Sequence, residues 1–151
     1  MPKASVKRLI ECNKNQLIDL VLDIEKYPDF VPFCLDAHVY ERKNEGDLIL
    51  IIADLTIGKG PFKDTYKSDV KFSKKDNTIK VTNIGGPLNH LENIWHFKEQ
   101  EKGTEISFDI DFEIENKFLN IVMTKSFQFG LDKIADAFQK RAEELFGNSK
   151  N

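Results

Sequence analysis

The amino-acid sequence predicts an α+β domain in which a curved antiparallel sheet of about seven strands is covered by one long C-terminal helix. Three observations carry this reading. First, EISFDIDFEIE at 105–115 alternates strictly. Ile106, Phe108, Ile110, Phe112 and Ile114 fall on one face, and Glu105, Ser107, Asp109, Asp111, Glu113 and Glu115 on the other, as in a strand with one buried and one wet face. Second, residues 117–146 contain no proline, and Leu119, Met123, Phe127, Leu131, Ile134, Phe138, Ala142 and Leu145 recur at three- and four-residue spacing. That is an amphipathic helix, roughly 45 Å long at 1.5 Å per residue. Third, turn clusters punctuate the middle of the chain: NEGD at 44–47, GKGP at 58–61, KKDN at 74–77, GGP at 85–87 and EKG at 101–103, the residue types that favour tight chain reversal.

The elements follow in order. KASVKRLIE at 3–11 suits a first strand. NKNQLIDLVLDIEKY places Leu17, Leu20, Val21 and Ile24 at helical spacing, with Asn13 or Asn15 as its cap. Pro28 and Pro32 in DIEKYPDFVPFC end that helix, because each proline fixes φ, donates no hydrogen bond and pushes the preceding residue out of helical geometry. At most a short second helix fits there. Six strands follow before the long helix. DLILIIADLTI at 47–57 is rich in β-branched residues. FKDTYKSDVKF at 62–72 alternates, with Phe62, Tyr66, Val70 and Phe72 opposite Lys63, Lys67 and Lys71. NTIKVTNI and NHLENIWHF continue the series.

The chain of 151 residues reads as a single domain over 1–151, with 40% hydrophobic and 31% charged residues, an ordinary globular balance. A net charge of −3 speaks against a general nucleic-acid binder and against DNA as a partner. Twelve phenylalanines suit a large core or an apolar cavity. Cys12 and Cys34 form no paired motif and read as reduced, buried thiols. MPKASVKRLI carries no signal-peptide apolar run, and no apolar stretch is long enough to span a membrane. The expected compartment is the cytoplasm, with a peripheral place at the inner face of the membrane as an extension of it.

No catalytic constellation is expected. His38, His90 and His96 do not make a ligand set, and there is no nucleophile elbow, Walker A loop or dinucleotide fingerprint. No metal site and no required cofactor are expected. Asp64 is the one carboxylate on the apolar side of its strand, and a lone acid is a poor basis for general base chemistry. A curved sheet around a straight helix leaves interior volume, however. Asp64 and Ser68 share a face with Tyr66, and Asn93 shares one with Leu91, Trp95 and Phe97. Such groups either bond to one another or orient a ligand in a mostly apolar cavity. Gly130 interrupts the long helix, where it either makes room or kinks the axis.

VLDIEKYPDFVPFC resembles the signature of the START-like polyketide cyclase/dehydrase superfamily, in the branch of coenzyme Q-binding proteins and the ribosome association toxin RatA. ADLTIG at 53–58, FKDTYKSDV at 62–70, GPLNHLENIWHF at 86–97 and DIDFEIENKFL at 109–119 follow in the family's order. His96 and Leu88 stand where that family commonly has Arg and Phe. The resemblance implies a helix-grip fold and a cavity that holds ubiquinone or a similar prenyl lipid, chaperoned for respiration or quinone synthesis. The alternative it implies is a toxin that binds the large ribosomal subunit and blocks subunit joining; a cyclase-like enzyme is a weaker one. On the quinone reading, Tyr27, Phe30, Val31 and Phe33 form an apolar flap over the cavity mouth, or else a plug sealing one end of the core. The strands supply Asp64, Tyr66, Asn93, Trp95 and Phe112 to the cavity wall. Met123, Phe127, Gly130 and Leu131 line it from the helix. On the ribosome reading, Lys63, Lys67 and Lys71 are the surface contacts, although the same lysines suit anionic lipid head groups.

Overall fold

The computed structural model describes residues 3–59, 62–84, 88–114 and 117–146, with side chains for all of these except 59, 62, 88, 89, 114 and 117–129. The order is β1 (Lys3–Ile10), α1 (Lys14–Leu22), a 3-10 turn (Ile24–Lys26), α2 (Tyr27–Phe30), β2 (Cys34–Glu45), β3 (Leu48–Lys59), β4 (Phe62–Ser73), β5 (Thr78–Asn83), β6 (Leu88–Gln100), β7 (Gly103–Ile114) and α3 (Lys117–Phe146). All seven strands join one antiparallel sheet in the order β1-β7-β6-β5-β4-β3-β2. Every strand pairs with its chain neighbour except β1, which closes against β7.

The local chemistry sets each boundary. Asn13 caps α1: its side chain accepts from the Asn15 amide at 2.7 Å, and the Gln16 side chain accepts from the Asn13 amide at 3.2 Å. This capping box satisfies donors that the first turn leaves orphaned. Pro28 sits in the first turn of α2, where a missing N–H costs nothing. Val31, ahead of Pro32, is extended at ψ 122°, as the proline ring demands of its predecessor. β2 is the strand with the weakest alternation; register irregularities interrupt its ladder with β3 between Cys34 and Asp36 and between Val39 and Glu41.

The registers stack inward-facing residues into rows across the sheet. One row reads Ile49, Phe72, Ile79, Trp95, Phe108, Val6. The next reads Ile51, Val70, Val81, Asn93, Ile110, Ala4, and the one after it Ala53, Ser68, Asn83, then Leu91 beside Phe112. Beyond these, Leu55 pairs with Tyr66 and Ile57 with Asp64. The C-terminal half of α3 covers the first row: Leu131, Phe138 and Ala142 are buried, and Arg8 on β1 reaches Asp136 at 3.1 Å.

Gly103 opens β7 at φ +150°, and a Cβ there would stand 2.2 Å from the Ile10 carbonyl oxygen. The Cys12 amide donates to that same oxygen at 2.8 Å, and the Thr104 hydroxyl donates to the Cys12 carbonyl at 2.9 Å. Backbone on both sides leaves nothing that can yield. Gly103→Ala is therefore expected to destabilise the domain by about 2 kcal/mol or more, read as a lower urea midpoint. A shift of under a quarter of that would show that the β1–β7 closure tolerates displacement.

Candidate ligand-binding interior

The proline segment builds one end of the interior. Tyr27, Phe30, Val31 and Phe33 are all half-buried. Tyr27 and Phe30 meet the Phe138 ring edge-on at 5.5 and 5.1 Å, and Phe138 meets Trp95 at 5.2 Å. Arg141 lies over the far side of Phe30 at 5.3 Å. The Tyr27 hydroxyl donates to the Val21 carbonyl. Tyr27 and Phe30 thus plug the packed end of the core rather than forming a free flap. Phe33 departs from them. It takes a left-handed φ of +71°, costly for a side chain of this size. Its carbonyl accepts from the Gly58 amide at 2.9 Å, and its ring faces Gly130, where a Cβ would stand 3.7 Å from it. The Phe33 ring therefore lies one van der Waals contact beyond that position, and α3 has room there for a methyl group.

The remaining expected residues divide. Trp95, Phe112 and Leu131 are buried core; Trp95 is roofed by Phe138, and the void beside these rings is only about 20 Å³, room for about one water. Asp64 corrects the expectation of a cavity carboxylate. It lies on the inner side of β4 but at the strand's open end, exposed, with Oδ1 accepting from the Thr65 amide at 3.1 Å. Tyr66, one row inward, is half-buried. Ser68 is fully buried and donates to the Ala53 carbonyl at 3.2 Å. Asn93 is 9% exposed, and its Oδ1 has no hydrogen-bond partner among the described residues. Met123 and Phe127 lie outside the described side chains. Lys63, Lys67 and Lys71 are exposed on the outer face, and Lys67 sits 4.9 Å over the Tyr40 ring. An open groove of about 440 Å³ lies between α1 and the β2–β3 margin of the sheet, lined by Asp19, Leu22, Asp23, Arg42, Lys43, Asn44 and Ile49.

Sequence reasoning missed two participants. Phe138 was visible only as one apolar position in a helical stripe, indistinguishable from its neighbours. Cys34 joins Tyr27 and Tyr66 in one electrostatic neighbourhood. Burial pushes its thiol up to about 11 from an ordinary 9.0. Burial likewise raises both tyrosine hydroxyls well above 10.0, Tyr27 further through Tyr66 and Cys34, and Tyr66 through Cys34. All three groups remain protonated at neutral pH. Among the described residues the buried polar side chains are Ser68, Asn93 and Thr104.

A curved sheet gripping one helix defines a helix-grip domain. The sequence pattern of the polyketide cyclase / dehydrase and lipid transport family matches residues 12–139, and the chain belongs to that family. It is 30% identical over 141 residues to a ribosome association toxin RatA of Rickettsia prowazekii, covering 91% of this chain and 94% of that protein. It is 33% identical over 140 residues to a mitochondrial coenzyme Q-binding protein of Dictyostelium discoideum, covering 91% of this chain and 67% of the other. The fold matches that of a START superfamily protein from Mycobacterium smegmatis with a TM-score of 0.80 at 18% identity, over 96% of this chain and 99% of that one. Among the described residues no helix is long and apolar enough to cross a membrane.

Two outcomes follow for this end of the molecule. Raised pKa values mean that the unfolded chain releases these protons first, so the stabilisation is complete below pH 9.0 and is lost as pH climbs toward about 11. Urea midpoints should hold steady to pH 8.5 or so and then fall, and Cys34→Ala should delay the fall toward the tyrosine range near 10. An unchanged onset in that variant would remove Cys34 from the cause. At Gly130, alanine should be accepted against the Phe33 ring and stabilise α3 by up to about 1 kcal/mol, seen as a higher melting temperature. Destabilisation there would mean that the helix and the proline segment meet more closely than 3.7 Å allows.

Proposed function

We propose that the protein is a non-catalytic carrier of a polyprenyl quinone, ubiquinone or a similar prenyl lipid, serving respiration or quinone synthesis. The observation that carries this reading is the composition of the inner face. From β3 to β1 its three stacked rows and the Leu55–Tyr66 pair are apolar except for Asn93, Ser68, Asn83 and Tyr66, with Arg42 and Asp64 at the margins of the face, the mix that ligand cavities use for bulk affinity and orientation. Each prenyl methylene placed there contributes about 0.8 kcal/mol, while hydroxyl and amide groups answer the ring oxygens. The family membership and the similarity to a coenzyme Q-binding protein support it. The exposure of Asp64 and the outward direction of His96 leave no acid–base pair on the inner face among the described residues. Mass spectrometry of an organic extract of protein purified from a quinone-making host tests the reading. Substoichiometric prenyl quinone is expected, and Gly130→Trp should lower it by displacing Phe33 into the interior while the circular dichroism stays native. Protein that neither carries nor takes up a prenyl lipid would sink the proposal.

A second reading has its own support. The similarity to a ribosome association toxin accompanies exposed Lys63, Lys67 and Lys71 on the outer face of β4. A ribosomal contact through them would weaken steeply with salt, since each phosphate neutralised releases counterions. Changing all three to Glu should abolish cosedimentation with large subunits at low salt. Wild-type protein that never cosediments under those conditions removes the ribosome from consideration.

A further inference from the structure

Across the strands from β3 to β1, Asn93 is the one polar side chain in its row, and at the β2 edge the row ends in Arg42, which donates to the Leu22 carbonyl at 3.2 Å. Its register partners are Val81 and Ile110, and the row continues through Val70 and Ile51 on one side and Ala4 on the other. None of these side chains can donate a hydrogen bond. The buried Ser68 hydroxyl, in the adjoining row, already donates to the Ala53 carbonyl. Among the described residues the buried Asn93 Oδ1 has no hydrogen-bond partner, and the residue is 9% exposed on the inner face of the sheet. An unmet acceptor in such surroundings is costly, and a valine or leucine, as on the neighbouring strands, would fill the site without that cost.

We propose that the Asn93 Oδ1 accepts a hydrogen bond from a hydroxyl of the bound molecule, so that the interior selects a phenolic head group and takes a prenyl quinone in its reduced, quinol form. This rests on the prenyl-lipid reading and narrows it. A quinone presents only acceptors, its carbonyl and methoxy oxygens, and leaves Oδ1 unmet; a quinol supplies the missing O–H. Sites built to hydrogen-bond a hydroxyl discriminate strongly against the analogue that lacks it, because the buried partner then stays unpaired. The protein performs no electron transfer in this scheme. It binds one redox form of a couple more tightly, which raises the midpoint potential of the bound couple by about 30 mV for each tenfold of preference.

The test is a titration with a short-chain ubiquinone analogue, oxidised and then dithionite-reduced under argon, against wild type and Asn93→Leu. Wild type should bind the quinol about tenfold or more tightly than the quinone. Asn93→Leu should bind both forms alike. Without ligand, the variant should melt no lower than wild type, because an unmet polar group has been removed. The midpoint potential of the wild-type complex gives an independent reading without any variant. Equal affinity of wild type for the two forms, or a preference that survives in Asn93→Leu, overturns the inference and leaves the carrier reading standing. A variant that melts several degrees lower with no change in ligand preference assigns Oδ1 to a structural water and overturns it too. Failure of wild type to bind either form overturns both.

Discussion

The contact on which the rest of the molecule depends is the edge-to-face meeting of Phe138 and Trp95, with ring centroids 5.2 Å apart. Trp95 stands at the middle of the sheet's most completely apolar row, and Phe138 on the helix that covers it. Tyr27 and Phe30 join the same ring from α2. One side chain therefore fixes the helix, the sheet and the proline segment to one another. Aromatic pairs of this geometry contribute about 0.5–1.5 kcal/mol each beyond the area they bury. Their larger effect here is positional. Pinned over Trp95, α3 also meets β1, β7, α1 and α2. The packed end is a floor, and the polar groups of the inner face lie beyond it.

That division explains the prolines. Pro28 starts α2 and Pro32 forces Val31 to extend, so the chain turns sharply between the plug and β2. Phe33 absorbs the turn in a left-handed conformation, held by the Gly58 amide on β3. Rings three residues apart in sequence then do different things. Phe30 belongs to the core, while Phe33 faces the helix at Gly130, one van der Waals contact beyond where a Cβ would stand. A preformed connection loses little further entropy on ordering, which is why a short irregular segment can hold two rings in separate places.

Much of this was legible in the sequence, and what was not has physical reasons. Strict alternation at 105–115 and helical spacing at 117–146 determine the sheet and its cover, since each pattern fits one period only. The cap was readable as Asn13 or Asn15, because a side-chain acceptor before an apolar-periodic run has little else to do, and the structure gives the role to Asn13. β2 was counted but not delimited: an edge strand with irregular register has one neighbour and mostly exposed side chains, so its alternation is blurred. Asp64 was read on the correct face but at the wrong depth, because period two assigns a side and says nothing of distance from the strand's end. The division of labour between Phe30 and Phe33 was hidden, since it depends on a positive φ that no local rule assigns to phenylalanine. The isolation of Asn93 depends on register across β3 to β7 and is visible only when the rows are assembled.

The same alternation bears on how one fold serves relatives named for different partners. On β4, Tyr66, Ser68, Val70 and Phe72 point inward while Lys63, Lys67 and Lys71 point to solvent. A strand is thin enough that both sets share one backbone, yet a change to one set leaves the other's surroundings untouched as long as the register holds. The inner face can therefore be tuned toward a ligand, and the outer face toward a large polyanionic surface, without either constraining the other. Lys67 over Tyr40 and the Tyr40 hydroxyl on Asp54 at 2.5 Å show the outer face building its own contacts across β2, β3 and β4, independent of the rows beneath. What couples the two faces is the backbone ladder, which fixes where side chains stand and is indifferent to what they bind.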